Sequence, residues 1–136
     1  MAIALDPNRT FDYVLKCDRG LPREQQSIFH IRPLSALEMR HLKNAALTID
    51  QVTQQAHSYL GDLRYLALRA GLVGWSNFKR ADGTEAVFER TRQNLLGRSG
   101  EFVTDACLDL LRDEWRDELA EAVQEFNTLT RDDAKN

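Results

Sequence analysis

Proline and cysteine are scarce in this chain of 136 residues, at three and two, and no apolar stretch approaches the roughly 18 residues that a membrane-spanning helix requires. The missing apolar run speaks against a membrane partner, and the opening MAIALDPNRT lacks the charged-then-apolar layout of a secretory signal. Cys17 and Cys107 stand far apart, with neither CxxC nor histidine-paired spacing, so neither a disulfide framework nor a zinc knot is written here. Both read as buried, inert thiols in a protein of the cytosol.

The loops that cradle phosphates are missing too: no GxGxxG follows a strand, and no GxxxxGK[ST] occurs. His30, His41 and His57 show neither HxxxH nor HxxE spacing, and no serine sits in a GxSxG elbow. These absences predict no catalytic residue, no metal and no cofactor. A small hydrolase or nucleotide-handling enzyme would need histidines and carboxylates from distant segments to converge in a cleft.

What is present is an ordinary soluble composition, 43% hydrophobic and 29% charged, with a net charge of −3. The charge is uneven. Residues 1–98 carry 14 basic and 10 acidic side chains, and residues 99–136 carry 4 and 11. An acidic last quarter and a thinly spread basic surplus before it speak against nucleic acid as a partner, because phosphate binding needs clustered Lys and Arg.

Periodicity predicts an α+β domain, mainly α, over 1–130, with a tail over 131–136 that frays because it has no apolar residue larger than Ala. FDYVLKC and SIFHIRPL read as an N-terminal β-hairpin joined by DRGLPREQQ, the second strand ending at Pro33 or lying at an edge. Ser35 and Glu38 have the spacing of a capping box, opening a short helix over SALEMRHLKN. Asp50 opens a longer helix whose Val52, Ala56, Tyr59, Leu60, Leu63, Leu66, Ala67 and Ala70 share one face, with Gly71 and Gly74 as candidate left-handed caps. A second small β-hairpin is expected around Asp82-Gly83. Thr104 then caps a short helix bearing Cys107, Leu110 and Leu111. A last helix follows, with a Trp115, Leu119, Ala122, Val123 and Phe126 stripe and an opposite, solvated face of Asp113, Asp117, Glu118, Glu121 and Glu125. About four helices result.

The candidate partner-binding residues are Trp75, Phe78, Val87 and Phe88, grouped about the Asp82-Gly83 turn. Large aromatics dominate interface energetics, but a small hairpin also needs aromatics to dock it on its own domain, so each taken singly reads first as core.

The stretch LALRAGLVGWSNFKRADGTEAVFE, with the closing WRDELAEAVQEFNTLTRDDAKN and the earlier LPREQQSIFHIRPLSALE, resembles the small tail assembly chaperones of long-tailed bacteriophages and prophages. The likeness spans most of the chain. It implies a non-enzymatic protein that binds the tape measure protein and tail tube subunits, keeps their apolar segments from aggregating and is absent from the finished virion. Many such proteins exist in a short and a frameshifted longer form, and an end soon after the last helix suits the short one. Self-association into a homo-oligomer stays open. The alternative is a structural tail component, a tail completion or connector subunit, that stays in the particle.

Overall fold

The structure, a computed structural model, describes residues 9–53 and 56–135, with side chains placed over 9–45 and 63–125. It is α+β, four helices with two small antiparallel sheets.

The expected N-terminal hairpin is present. β1 (Phe11–Val14) and β2 (Ile28–Ile31) pair antiparallel, Phe11 opposite Ile31 and Val14 opposite Ile28. Two short 3-10 turns occupy the connection, and the Asp18 carboxylate accepts the Ser27 amide at 3.0 Å to fix its end. Strand alternation sets the faces: Phe29 and Ile31 point into the core, while Asp12 and His30 stand on the outer face. β2 stops two residues before Pro33 and is the central strand, because a third strand pairs on its other side.

That third strand, β3 (Leu72–Ser76), corrects the expectation that Gly71 and Gly74 cap a helix. Neither glycine has a positive φ. Gly71 ends α2 (Ala56–Gly71) and is small for a packing reason: an added Cβ would collide with the Val123 methyls of the last helix. Gly74 lies under the His30 ring, whose Cδ2 would be 3.3 Å from a Cβ there.

The capping box forms as expected: Ser35 Oγ accepts the Glu38 amide at 3.2 Å and Glu38 Oε1 accepts the Ser35 amide at 3.0 Å. Its helix, α1, runs over Ala36–Thr53 rather than stopping near Asn44, so Asp50 lies inside it and opens nothing. Between Asn44 and Asp50 stand Ala, Leu, Thr and Ile, with no Gly or Pro to break the ladder. On α2, Ala67 and Ala70 are buried as expected and Leu68 joins them, while the predicted positions Val52, Ala56, Tyr59 and Leu60 fall outside the described side chains.

The hairpin expected at Asp82-Gly83 shrinks to one bridge, Lys79 opposite Glu85. Asp82 Oδ1 takes both the amide and the hydroxyl of Thr84, at 2.9 and 2.6 Å, and a local side-chain bond of this kind competes with a ladder. A full second hairpin lies further on. β4 (Arg90–Leu95) and β5 (Arg98–Val103) close through Leu96 and Gly97, both at positive φ (51° and 76°), the backbone of a two-residue primed turn.

Thr104 caps α3 (Asp105–Leu108), accepting the Cys107 amide at 3.3 Å, and α4 (Asp113–Lys135) follows. α4 runs over Asp113–Lys135 and so includes most of the tail segment 131–136. Asn136 and the Phe126 side chain lie outside the described set. α2 packs against α1 and α4, and β5 against α2 and β3. The core gathers Phe29, Leu68, Leu72, Val103, Leu108, Leu119 and Val123. Among the described residues no helix is long and apolar enough to cross a membrane.

Candidate functional site

β3 delivers Trp75 to the core face and then leaves the sheet sharply, because Asn77 adopts a left-handed backbone at φ 56°. The Asn77 amide group donates to the carbonyls of Glu24 and Gln26 at 3.0 and 3.1 Å, and Ser27 Oγ donates to the Asn77 carbonyl at 2.8 Å. The bend is thus tied to the β1–β2 connection. It turns Phe78 inward, where only 7% of it is exposed. The loop that follows is held in two more places: Trp75 Nε1 donates to the Ala86 carbonyl at 2.7 Å, and the buried Cys107 sulfur accepts the Glu89 amide at 3.2 Å.

This arrangement brings three of the four candidate residues together. Trp75 lies edge-on to Phe78 at 5.0 Å and to Phe88 at 4.9 Å between ring centres. Phe29 of β2 joins at 5.3 Å from Phe78, and Trp115 of α4 at 6.2 Å on the other side. Edge-to-face contacts in this range suit the ring quadrupoles. Val87 is set apart: 63% exposed, it points away as its neighbours turn in. Phe29 and Trp115 were not singled out as site residues by the sequence. Trp115 carries only a helical-stripe signal, and its meeting with Phe78 spans 37 positions.

Two adjoining grooves flank this cluster and share Phe78, Lys79 and Trp115. One, of about 410 Å³, runs toward Leu15, Asp18, Glu24 and Asn77. The other, of about 650 Å³, runs toward Arg80, Ala86, Leu110 and Arg112. The Arg112 guanidinium lies 5.0 Å above the Trp115 ring centre.

On the outer sheet face stands a group that spacing did not reveal. His30 Nδ1 is 2.7 Å from Asp12 Oδ1, and its Nε2 is 2.9 Å from Ser76 Oγ. A carboxylate oxygen accepts, so Nδ1 is the nitrogen placed to donate to Asp12, and Nε2 stands within hydrogen-bond distance of the hydroxyl. The connectivity is that of an acylating triad. Its setting is a strand surface: Asp12 and His30 are direct cross-strand partners, Ser76 is exposed, and neither groove reaches them. His41 packs against Gly97, and the His57 side chain lies outside the described residues. Among the described residues no group of three or more His, Cys, Asp or Glu is placed to hold a metal ion.

The acidic face of α4 is less free than its pattern implies. Glu118 accepts the Tyr13 hydroxyl at 2.7 Å and the Lys16 amide at 2.9 Å, while Arg64 pairs with Asp117 and Glu121 at 3.6 and 3.3 Å. Burial first, and then the bond to Glu118, push the Tyr13 hydroxyl up to about 12. Tyr65, bonded to Asp105, is raised to about 12 for the same two reasons. Cys17, expected to be buried, is exposed; desolvation and then the Asp18 charge raise its thiol, which disfavours the reactive thiolate.

No known protein family, characterised protein or solved structure matches the chain.

Proposed function

We propose that this protein is a non-enzymatic tail assembly chaperone of a bacteriophage or prophage, acting in the host cytoplasm. It shelters apolar segments of the tape measure protein, and of tail tube subunits, until they assemble. The observation that carries the reading is the aromatic cluster of Trp75, Phe78, Phe88 and Trp115, rooted in the core through Phe29, of which Phe78 and Trp115 line both grooves. A chaperone of this kind needs an apolar surface on a rigid base and neither nucleotide nor metal. A helix laid in a groove buries its stripe there by the ordinary hydrophobic effect. The resemblance of the GLVGWSNFKRADGTEAVFE region to phage tail chaperones supports the same reading from the sequence side.

The test is co-expression with an apolar tape measure segment that aggregates alone. Soluble co-purification is expected, and an insoluble segment beside a soluble, folded chain would reject the proposal. Mass spectrometry of purified particles separates the alternative, since a completion or connector subunit remains in the virion and a chaperone does not.

A further inference from the structure

The two grooves share their aromatic floor but differ in the charges on their outer walls. Arg80 and Arg112 line the larger one, Lys79 stands where the two adjoin, and Asp18 and Glu24 line the smaller. The larger groove also carries Asp82 and Asp109. Asp82 is already committed to the amide and hydroxyl of Thr84, which leaves Asp109 as the carboxylate still facing the groove without a hydrogen bond from its side chain. Lys79 and Arg80 enter none of the ion pairs found among the described residues. With Arg112 they outnumber Asp82 and Asp109, so the larger groove attracts a carboxylate, while Asp18 and Glu24 outnumber Lys79 and give the smaller groove the opposite balance.

We infer that the paired grooves accept an amphipathic helix of the partner in a single orientation. Its apolar stripe crosses Trp115, its acidic C-terminal half lies at the Lys79–Arg80–Arg112 end, and its basic N-terminal half faces Asp18 and Glu24. The inference rests on the proposed chaperone reading and adds the chemistry and direction of the bound segment. Apolar area holds the helix in place, and two electrostatic terms set its direction. Phe78 and Trp115 supply apolar area common to both grooves. The side-chain charges at the two ends are complementary to such a helix. The helix macrodipole, negative at its C-terminus, favours the cationic end for that terminus. Groove volumes of about 410 and 650 Å³ each fall in the range that takes up side chains of a ligand.

The probe is a fluorescein-labelled helical peptide with a Leu/Phe stripe, Lys in its N-terminal half and Glu in its C-terminal half. Its control has the same stripe and composition with Lys and Glu alternating along its length, so that neither half carries a net charge. Anisotropy titration with the full chain at low salt is expected to favour the first peptide by about fivefold, the size expected of a few exposed charge pairs. K79E/R80E, which alters exposed loop residues, is expected to remove or invert that preference while its melt matches the wild type. Equal affinity for both peptides, or a preference that survives in K79E/R80E, overturns the inference. If tape measure capture persists in those cases, only the charge-directed orientation fails. If capture itself is absent, the chaperone reading fails with it.

Discussion

Arg32, just beyond the central strand, grips Glu38 in the first turn of α1 through two hydrogen bonds of 3.0 and 2.7 Å, and the carboxylate between them is fully buried. Ser35 adds its amide at 3.0 Å, and Arg98 from the start of β5 approaches to 3.7 Å. One carboxylate therefore joins the first sheet, α1 and the second hairpin. Burial by itself would raise its pKa, but the bonds from Arg32 and Ser35 outweigh that and hold it below the usual carboxylate range.

Because the folded pKa is depressed, the stability from Glu38 is present above the unfolded value of about 4.3 and is lost as pH falls through the lower folded one. Glu38→Gln is expected to cost about 3 kcal/mol at neutral pH, since it leaves Arg32 facing a neutral group in a buried site. The variant should also lose part of the acid sensitivity. Urea melts of both proteins from pH 7 to pH 3 check this, and parallel pH profiles would contradict it.

At the alkaline end the sign reverses. Tyr13 and Tyr65 both have hydroxyls raised to about 12, so their contribution is intact below pH 10 and fades as pH climbs from there toward 12. Tyr13→Phe removes one such group, and its unfolding midpoint should fall less between pH 9 and pH 11.5 than that of the wild type. Equal losses would mean that the Tyr13–Glu118 contact is not made in solution.

Gly71→Ala is expected to destabilise by about 2 kcal/mol, an overpacking cost, because the new methyl meets the Val123 side chain. Val123→Ala opens that space, so the double variant should be more stable than the sum of the single effects predicts. Strict additivity in thermal melts would place the cost of Gly71→Ala elsewhere.

The local signals in this sequence were legible and the distant ones were not. The Ser35–Glu38 box, the Thr104 cap and the first hairpin each depend on residues close in the chain or on plain alternation, and all three form. β3 was hidden because Gly71 and Gly74 carry the signature of a helix cap, whereas here they make room for Val123 and His30. The β4–β5 turn was hidden because Leu96 occupies a left-handed position usually held by Asn, Asp or Gly. The Asp82-Gly83 pair, the stronger turn signal, closes only the short Lys79–Glu85 bridge, with Asp82 also bonding locally to Thr84. Of the site, Trp75, Phe78 and Phe88 were visible as one cluster around a turn. Phe29 and Trp115 join it from other elements, and no periodicity reports such a meeting.

The Asp12–His30–Ser76 group is expected to act as a cross-strand tie, with no acyl transfer to Ser76. His30→Ala should cost about 1 kcal/mol or less, as cross-strand pairs on an exposed face do. Incubation with a fluorophosphonate probe, read by intact-protein mass, should leave Ser76 unmodified. Stoichiometric labelling abolished in His30→Ala would instead make this sheet face a hydrolytic centre.

The most direct test of the central claim places a charge on the wall of the larger groove. Leu110, half-buried on the wall of the larger groove, is changed to Glu, and the variant is co-expressed with an apolar tape measure segment beside the wild type. The wild type is expected to hold the segment in solution, while Leu110→Glu, melting lower because Leu110 also packs on the core but still folded at the working temperature, lets it precipitate. Undiminished capture by a folded Leu110→Glu protein would show that the partner is bound elsewhere.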